Sequence, residues 1–323
     1  MATQQQQQQQ DAVRADDGRS GGDWAVSALF AYPVKSCGGI ALHEATVAAT
    51  GLGYDRLWML TDARSGRFVT QRQAPRLALI RVSVSGDELV LAADTMGAPL
   101  RLPLRPEVGR DLGDQLTTRV WYDDVVGRCC GPAAAAWLTE FVGRPIRLLY
   151  KDPGARRLVS RYLPAEGSCA VPPQTGFADV FPFHITTDPS LDDVNRRVPR
   201  ALMHQHFRPN IVLAPADGCR AAPYDEETWS RIEFHGADGP WSMFITSRTP
   251  RCSMPNVDPE TGAASADGEP MATLRTFRRV DPAKPSFVCF GMQAAPQRVG
   301  QVIRVGQRVA VRERGQHALT EPF

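Results

Sequence analysis

Hydrophobic and polar positions alternate in short runs from Trp24 onward. AVSALFAYPV, ATVAATGLG, RLWMLTD, RFVTQ, LALIRVSVSG and ELVLAAD are rich in β-branched and aromatic residues, and each is cut off by Gly, Asp or Pro. This spacing predicts several short strands closing into a sandwich or barrel. EVGRDLGD interrupts the pattern as a loop, and TTRVWYDDVVGRCCG predicts a strand pair with Asp123 and Asp124 near its turn. The period changes at PAAAAWLTEFVG, where the apolar residues fall on one helical stripe. PIRLLYKD returns to strand.

Residues 152–182 are rich in Pro and Gly with several Arg, and read as a long connection between two halves. FHITTDPSLDDVNRRV then predicts a strand feeding a helix, with Asp188 or Ser190 as its cap. HFRPNIVLA reads as a strand on which Arg208 and Asn210 share one face. YDEETWSRIEFHG contains a turn and a strand. WSMFITSRTPRCSMPNVDPETG is a strand that runs into a dense loop. LRTFRRVD, SFVCFGMQA and QVIRVGQRVAVRE are expected to be β-rich. The expected fold class is mainly β with some helices (α+β), in two lobes at residues 24–150 and 151–323. Residues 1–23, a Gln run followed by Asp, Arg, Gly and Ser, lack core-forming side chains and are expected to form a disordered tail.

Composition narrows the function classes. Hydrophobic residues make up 43% and charged residues 22%, which suits a soluble globular protein. A formal net charge of +2 gives no single-sign field that would favour nucleic acid or an acidic membrane. Seven irregularly spaced Cys form no disulfide framework and no C-x-x-C pair, so a reducing compartment is expected and a zinc ribbon is not. No apolar stretch reaches the roughly 18 residues of a spanning helix. Acidic residues at 11, 16, 17 and 23 argue against a basic transit peptide, so the expected location is cytoplasmic.

Four segments carry candidate chemistry. In Arg251-Cys252-Ser-Met-Pro-Asn-Val-Asp258-Pro-Glu-Thr261-Gly262, a Cys sits at a strand tip beside an Arg that favours its thiolate. Thiolates ligate metals or attack electrophiles; an ordinary buried Cys beside a loop is the competing reading. In Tyr32-Pro-Val-Lys35-Ser36-Cys37-Gly38-Gly39, a Lys and a Ser precede a Gly pair that lets backbone N–H groups approach an anion. Taken alone, those residues read first as a hairpin turn with a solvated Lys. Arg208 in Phe-Arg-Pro-Asn210 has the planar fork that suits a phosphate, or an internal salt bridge. Asp55-Arg56-Leu-Trp58, with Gln71-Arg72-Gln73 and Arg76, lines a cleft or forms a charged sheet face. His204 and His206 have no further ligand at helpful spacing and are expected to be structural. Neither G-x-S-x-G nor G-x-G-x-x-G is present, which argues against a serine hydrolase elbow and a Rossmann site.

Taken together and in order, YPVKSCGG, YDRLWMLTD with FVTQRQAPRLALI, FRPNIVL, RCSMPNVDPETG, SFVCFGMQ and VIRVGQRV resemble the amidoxime-reducing component family. The first segments resemble its MOSC N-terminal β-barrel domain, and the later ones its MOSC domain, which is related to the C-terminal region of molybdenum cofactor sulfurase. The resemblance implies a molybdenum cofactor (Mo-molybdopterin) with Cys252 as the thiolate ligand to the metal. It implies cofactor contacts from Lys35, Ser36, Arg56, Arg208, Asn210 and Arg251, and from Thr186 or Thr187 in a strand-end loop. Asp258 is expected to orient the loop or relay protons, or to cap its turn. Pro250 departs from the Ser that relatives often carry there, which removes a side-chain contact. The implied activity is reduction of amidoximes, hydroxylamines or nitrite by two electrons and two protons, with release of water. Electrons would come from NADH through cytochrome b5 reductase and cytochrome b5, since no haem or flavin motif is present. The alternatives are a sulfur-transfer protein and a non-catalytic cofactor carrier, and a mitochondrial location is the alternative to the cytoplasm.

Overall fold

The structure is a computed structural model that describes residues 24–236 and 239–317. The expected tail at 1–23 lies outside the described residues. The chain is mainly β with three helices among the described residues.

A closed barrel is built from β1 (Trp24–Ala31), β12 (Phe183–Thr187), β13 (Ile211–Pro215), β14 (Trp229–Gly236), β15 (Gly239–Pro250), β16 (Cys289–Pro296) and β18 (Arg308–Arg314). The order around it is β1-β13-β12-β16-β15-β14-β18, and β18 pairs back onto β1 through Trp24 and Val309. Only β12 and β13 run parallel in this ring. β2 (Ile40–Leu42) adds to the outer side of β1. Alternate residues of these strands fill the interior, among them Val26, Ile185, Leu213, Ile232, Phe234, Met243 and Ala294, as the period of two requires. Strand pairing therefore crosses residue 150, because β1 and β2 precede the first lobe in sequence yet belong to the barrel.

The other lobe is a four-stranded sheet, in the order β5 (Trp58–Asp62), β11 (Ile146–Lys151), β10 (Asp123–Cys129) and β9 (Gln115–Val120). The meander β6 (Arg81–Ser85), β7 (Glu88–Ala92) and β8 (Leu100–Pro103) completes it. Helix α1 (Gly131–Val142) forms where its stripe was read: Ala134, Leu138 and Phe141 are buried one helical turn apart. Gly143 ends it in the left-handed conformation at φ 80° and donates to the Thr139 carbonyl.

Three local expectations are corrected. The strand read at HFRPNIVLA begins only at Ile211, because Arg208 adopts φ 55°, which no strand residue can hold. Helix α2 (Asp188–Asn195) has Thr187 at its N-cap with no side-chain cap bond; Ser190 donates instead to Glu226, and Asp188 meets His204 at 2.8 Å. The first half of LRTFRRVD lies in helix α3 (Met271–Phe277), which buries Met271 and Leu274 three residues apart, and the second half forms no strand. Residues 152–182 form no regular element beyond one isolated bridge, Leu158 with Gln174, as their composition implied.

Candidate functional site

A cavity of about 350 Å³ lies between the barrel and the second lobe. Its cationic and thiol side chains come from four chain turns far apart in sequence: Lys35 and Ser36 after β1, Arg56 before β5, Arg208 and Asn210 before β13, and Arg251 and Cys252 after β15. Four of the six described non-glycine residues with positive φ line it: Ser36 (70°), Arg56 (48°), Trp121 (56°) and Arg208 (55°). Such backbone costs roughly 1–3 kcal/mol per residue and persists only where the surroundings impose it.

Those surroundings are specific. Arg56 Nη1 donates to Asp55 Oδ2 at 2.7 Å and to Asn210 Oδ1 at 3.1 Å, while Nη2 donates to the Arg208 carbonyl at 3.0 Å. Arg208 Nη1 donates to the Cys37 carbonyl at 2.7 Å. Both guanidinium groups lie against the Tyr32 ring, at 4.6 and 4.1 Å from its centroid. Asn210 spends its amide internally: Oδ1 also accepts from His184 N, and Nδ2 donates to the Phe30 carbonyl at 3.2 Å. It positions its neighbours. The loop at 176–179 covers Arg56 from another side: Phe177 N donates to the Arg56 carbonyl at 2.7 Å, and a Cβ on Gly176 would stand 2.5 Å from that oxygen. Arg157 ties the loop down through the Gly176 and Asp179 carbonyls while pairing with Asp123.

The electrostatics are strongly cationic. Lys35, Arg56, Arg208 and Arg251 all line the cavity, and Asp179 is the one carboxylate among its lining residues. Burial pushes the Lys35 ammonium below its ordinary range, and the paired Asp179 offsets part of this. Burial draws Arg208 down to about 10. For Asp179, burial alone would raise the carboxyl, but the charge of Lys35 and hydrogen bonds from Lys35 and Trp121 hold it well below the carboxylate range. Burial, with Arg251 and Arg56 nearby, keeps His184 far below its usual value, so its imidazole is neutral. Several buried donors have no protein partner: Arg208 Nη2, Arg251 Nε, Ser36 Oγ and Thr249 Oγ1. Leaving each unmatched costs about 1–3 kcal/mol. A cavity lined by four cations and unsatisfied donors can hold an anionic ligand.

Cys252 lines the cavity and is partly exposed. Among the described residues no group of three or more His, Cys, Asp or Glu could hold a metal.

Other expected residues lie elsewhere. Thr186 and Thr187 do not line the cavity: Thr186 Oγ1 shares a 2.9 Å hydrogen bond with His204 Nδ1, and Thr187 Oγ1 donates to Ser190 and Glu226. As β12 residues they are fully enclosed. Asp258 also stands outside the lining; its Oδ1 accepts from the Glu260 and Thr261 amides at 2.8 and 2.9 Å, closing the turn. The glycine pair serves packing rather than an anion. Gly38 N donates to the Ile80 carbonyl at 3.0 Å, and a Cβ on Gly39 would meet the Tyr32 ring at 2.5 Å. His204 and His206 are tied into internal hydrogen bonds, with Thr186 and Asp188 and with Met203. Asp179, Trp121, Tyr122 and His184 were not singled out by the sequence. A lone Asp in a Pro-rich loop and two aromatics in a hairpin turn carry no periodic signal.

Comparison with known proteins bears on this architecture. Residues 24–145 match the MOSC N-terminal beta barrel domain and residues 172–310 the MOSC domain. The chain is 34% identical over 293 residues to mitochondrial amidoxime-reducing component 1 of Mus musculus, covering 88% of this chain and 81% of that protein. The chain belongs to the amidoxime-reducing component family. The human component 1 is 33% identical across 80% of this chain and 73% of its own, and the Danio rerio component 1 is 31% identical across 88% and 83%. The family match extends over both lobes, so the cavity between them falls within it. Among the described residues no helix is long and apolar enough to cross a membrane.

Proposed function

We propose that this protein is a molybdenum-cofactor-dependent reductase of N-oxygenated compounds, with amidoximes and hydroxylamines as the first substrate classes and nitrite as a further one. The observation that carries the reading is the set of unmatched buried donors beside four cations and a partly exposed thiol. This donor set fits a phosphate-bearing pterin that delivers a metal to Cys252: cations and hydroxyls suit the phosphate, and a soft thiolate suits the metal. Lys35, Ser36, Arg56, Arg208 and Arg251 would hold the anionic group, and Cys252 would ligate molybdenum. Thr249 joins them through its own unmatched hydroxyl. When bound, the cofactor supplies two-electron redox chemistry at the metal.

The chain's own residues supply the rest. Phe207, Phe287 and Met254 give the cavity apolar walls that limit water. Asp55 and Asn210 fix the Arg56 fork before a ligand arrives. Asp179, held ionised, balances Lys35 rather than serving as an acid. For an amidoxime, the N–O bond breaks, two electrons and two protons are consumed, and an amidine and water leave. The electrons would come from NADH through cytochrome b5 reductase and cytochrome b5 as separate proteins. The relatives' names support a mitochondrial location, and cell fractionation tests it against the cytoplasmic alternative.

The test combines metal analysis with turnover. Purified protein should contain near-stoichiometric molybdenum and reduce benzamidoxime when given NADH, cytochrome b5 and its reductase. Cys252→Ala should lose both metal and activity. Stoichiometric molybdenum without turnover points to a cofactor carrier or sulfur-transfer protein, and absence of molybdenum after cofactor-replete expression overturns every version of the reading.

A further inference from the structure

We propose that Trp121 and Tyr122 form an aromatic lip that selects substrates carrying a planar aromatic body beside the reducible N–O group. This rests on the reductase reading above and names the recognition that the same site would use.

The two residues form the whole connection between β9 and β10, since Val120 pairs directly with Asp123. Two-residue hairpin turns with a positive φ favour Gly or Asn there. This chain instead places Trp at the positive-φ position, with Tyr next to it. The choice works against the turn, and departures of that kind mark functional positions. The side chains are also unusually open, 40% and 59% exposed, although both line the cavity. A shallow pocket of about 30 Å³ adjoins the cavity and shares Trp121, Tyr122, Asp179 and Val180 with it. The lip therefore stands where the two spaces meet.

The indole is held before any ligand arrives. Phe68 meets it edge-on at 6.1 Å, and the Arg72 guanidinium lies 4.8 Å from its centroid. A rigid exposed ring offers stacking area with little ordering cost. The cationic donors of the cavity beyond it are those that would hold the cofactor, which leaves the lip as the wall for an apolar ring. A molecule with its ring on Trp121 and its N–O group toward Cys252 satisfies both surfaces.

The test compares benzamidoxime with acetamidoxime, which share a head group and differ in the ring. Dissociation constants are measured by calorimetry on the molybdenum-loaded protein, alongside steady-state turnover. The expected result is a preference for benzamidoxime of roughly tenfold. Trp121→Gly suits the turn's φ but also removes the indole N–H that Asp179 accepts, so the reading is the ratio of the two constants, which should fall about 2- to 10-fold. Trp121→Phe should retain most of the preference, and Tyr122→Ala should lose part of it. An unchanged ratio of the two constants in both Trp121→Gly and Tyr122→Ala overturns the lip, even if both compounds are reduced. A ring preference that Trp121→Gly removes supports the lip even if neither compound is turned over, and in that case it is the reductase reading that falls.

Discussion

Arg56 donates to the backbone carbonyl of Arg208 at 3.0 Å, across 152 residues of sequence. One cation thereby fixes the left-handed backbone that aims the other. A lysine cannot reproduce this, because one ammonium does not span Asp55, Asn210 and the Arg208 carbonyl in the geometry of a planar fork. Arg56→Lys is expected to lose about 1–3 kcal/mol of hydrogen bonding at the site, with roughly tenfold weaker cofactor retention. Molybdenum content after gel filtration measures this; full retention would show that the fork is dispensable.

Tyr32 separates ring from hydroxyl. Its ring supports both guanidinium groups, while its buried hydroxyl has no partner and burial raises it to about 12. Tyr32→Phe should leave stability unchanged or raise it by about 1 kcal/mol, because an unsatisfied buried group is removed. Tyr32→Ala should cost about 3–5 kcal/mol through the cavity it opens. Urea denaturation distinguishes the two, and equal losses would contradict the assignment.

Asp258 is expected to act on stability rather than chemistry. Asp258→Ala removes two bonds to backbone amides, about 1–2 kcal/mol in total, or several degrees in Tm. Turnover per bound molybdenum should stay within about twofold. A hundredfold loss of kcat at unchanged Tm would place this carboxylate in the reaction instead.

The Lys35–Asp179 pair predicts an acid limb in the stability profile. The folded state holds Asp179 below its unfolded value. Its contribution is therefore present above about pH 4 and is lost as pH falls toward the folded value. Half of the Asp179 side chain meets solvent, so screening limits the effect to about 0.5 kcal/mol. Asp179→Asn should flatten the decline between about pH 4 and pH 2, measured by thermal melts across that range. Parallel profiles would show that the pair contributes nothing.

Much of the site was legible because its residues sit in compact, unusual strings. KSCGG, YDR, FRPN and TPRCS each deliver their Lys, Arg or Cys to one cavity. What they do there was less legible. Arg208 and Asn210 read as neighbours on a strand face, yet a left-handed turn sends one toward the cavity and ties the other into the backbone. Thr186 and Thr187 look like strand-end ligands, and the identity of their partners, His204 and Glu226, depends on long-range packing. Helix α3 escaped notice because seven residues give too few turns for a periodic signal. A closing barrel strand was legible in the last segment, but its partners were not, since β1 finds β13 and β18 nearly 200 and 300 residues away, and no local pattern encodes such pairing.

That closure has a consequence for synthesis. The first described strand to leave the ribosome is covered early by β2 at Leu29–Ala31, but its Trp24–Ala25 edge must wait for the last one. The lobe carrying Arg56 emerges and is able to collapse in the interval, while β1 remains an open edge. Late, non-local pairing of this kind slows folding and prolongs exposure to aggregation. A fragment made from residue 183 onward without β1 would hold only six of the ring's seven strands and leave β13 and β18 without the strand that joins them.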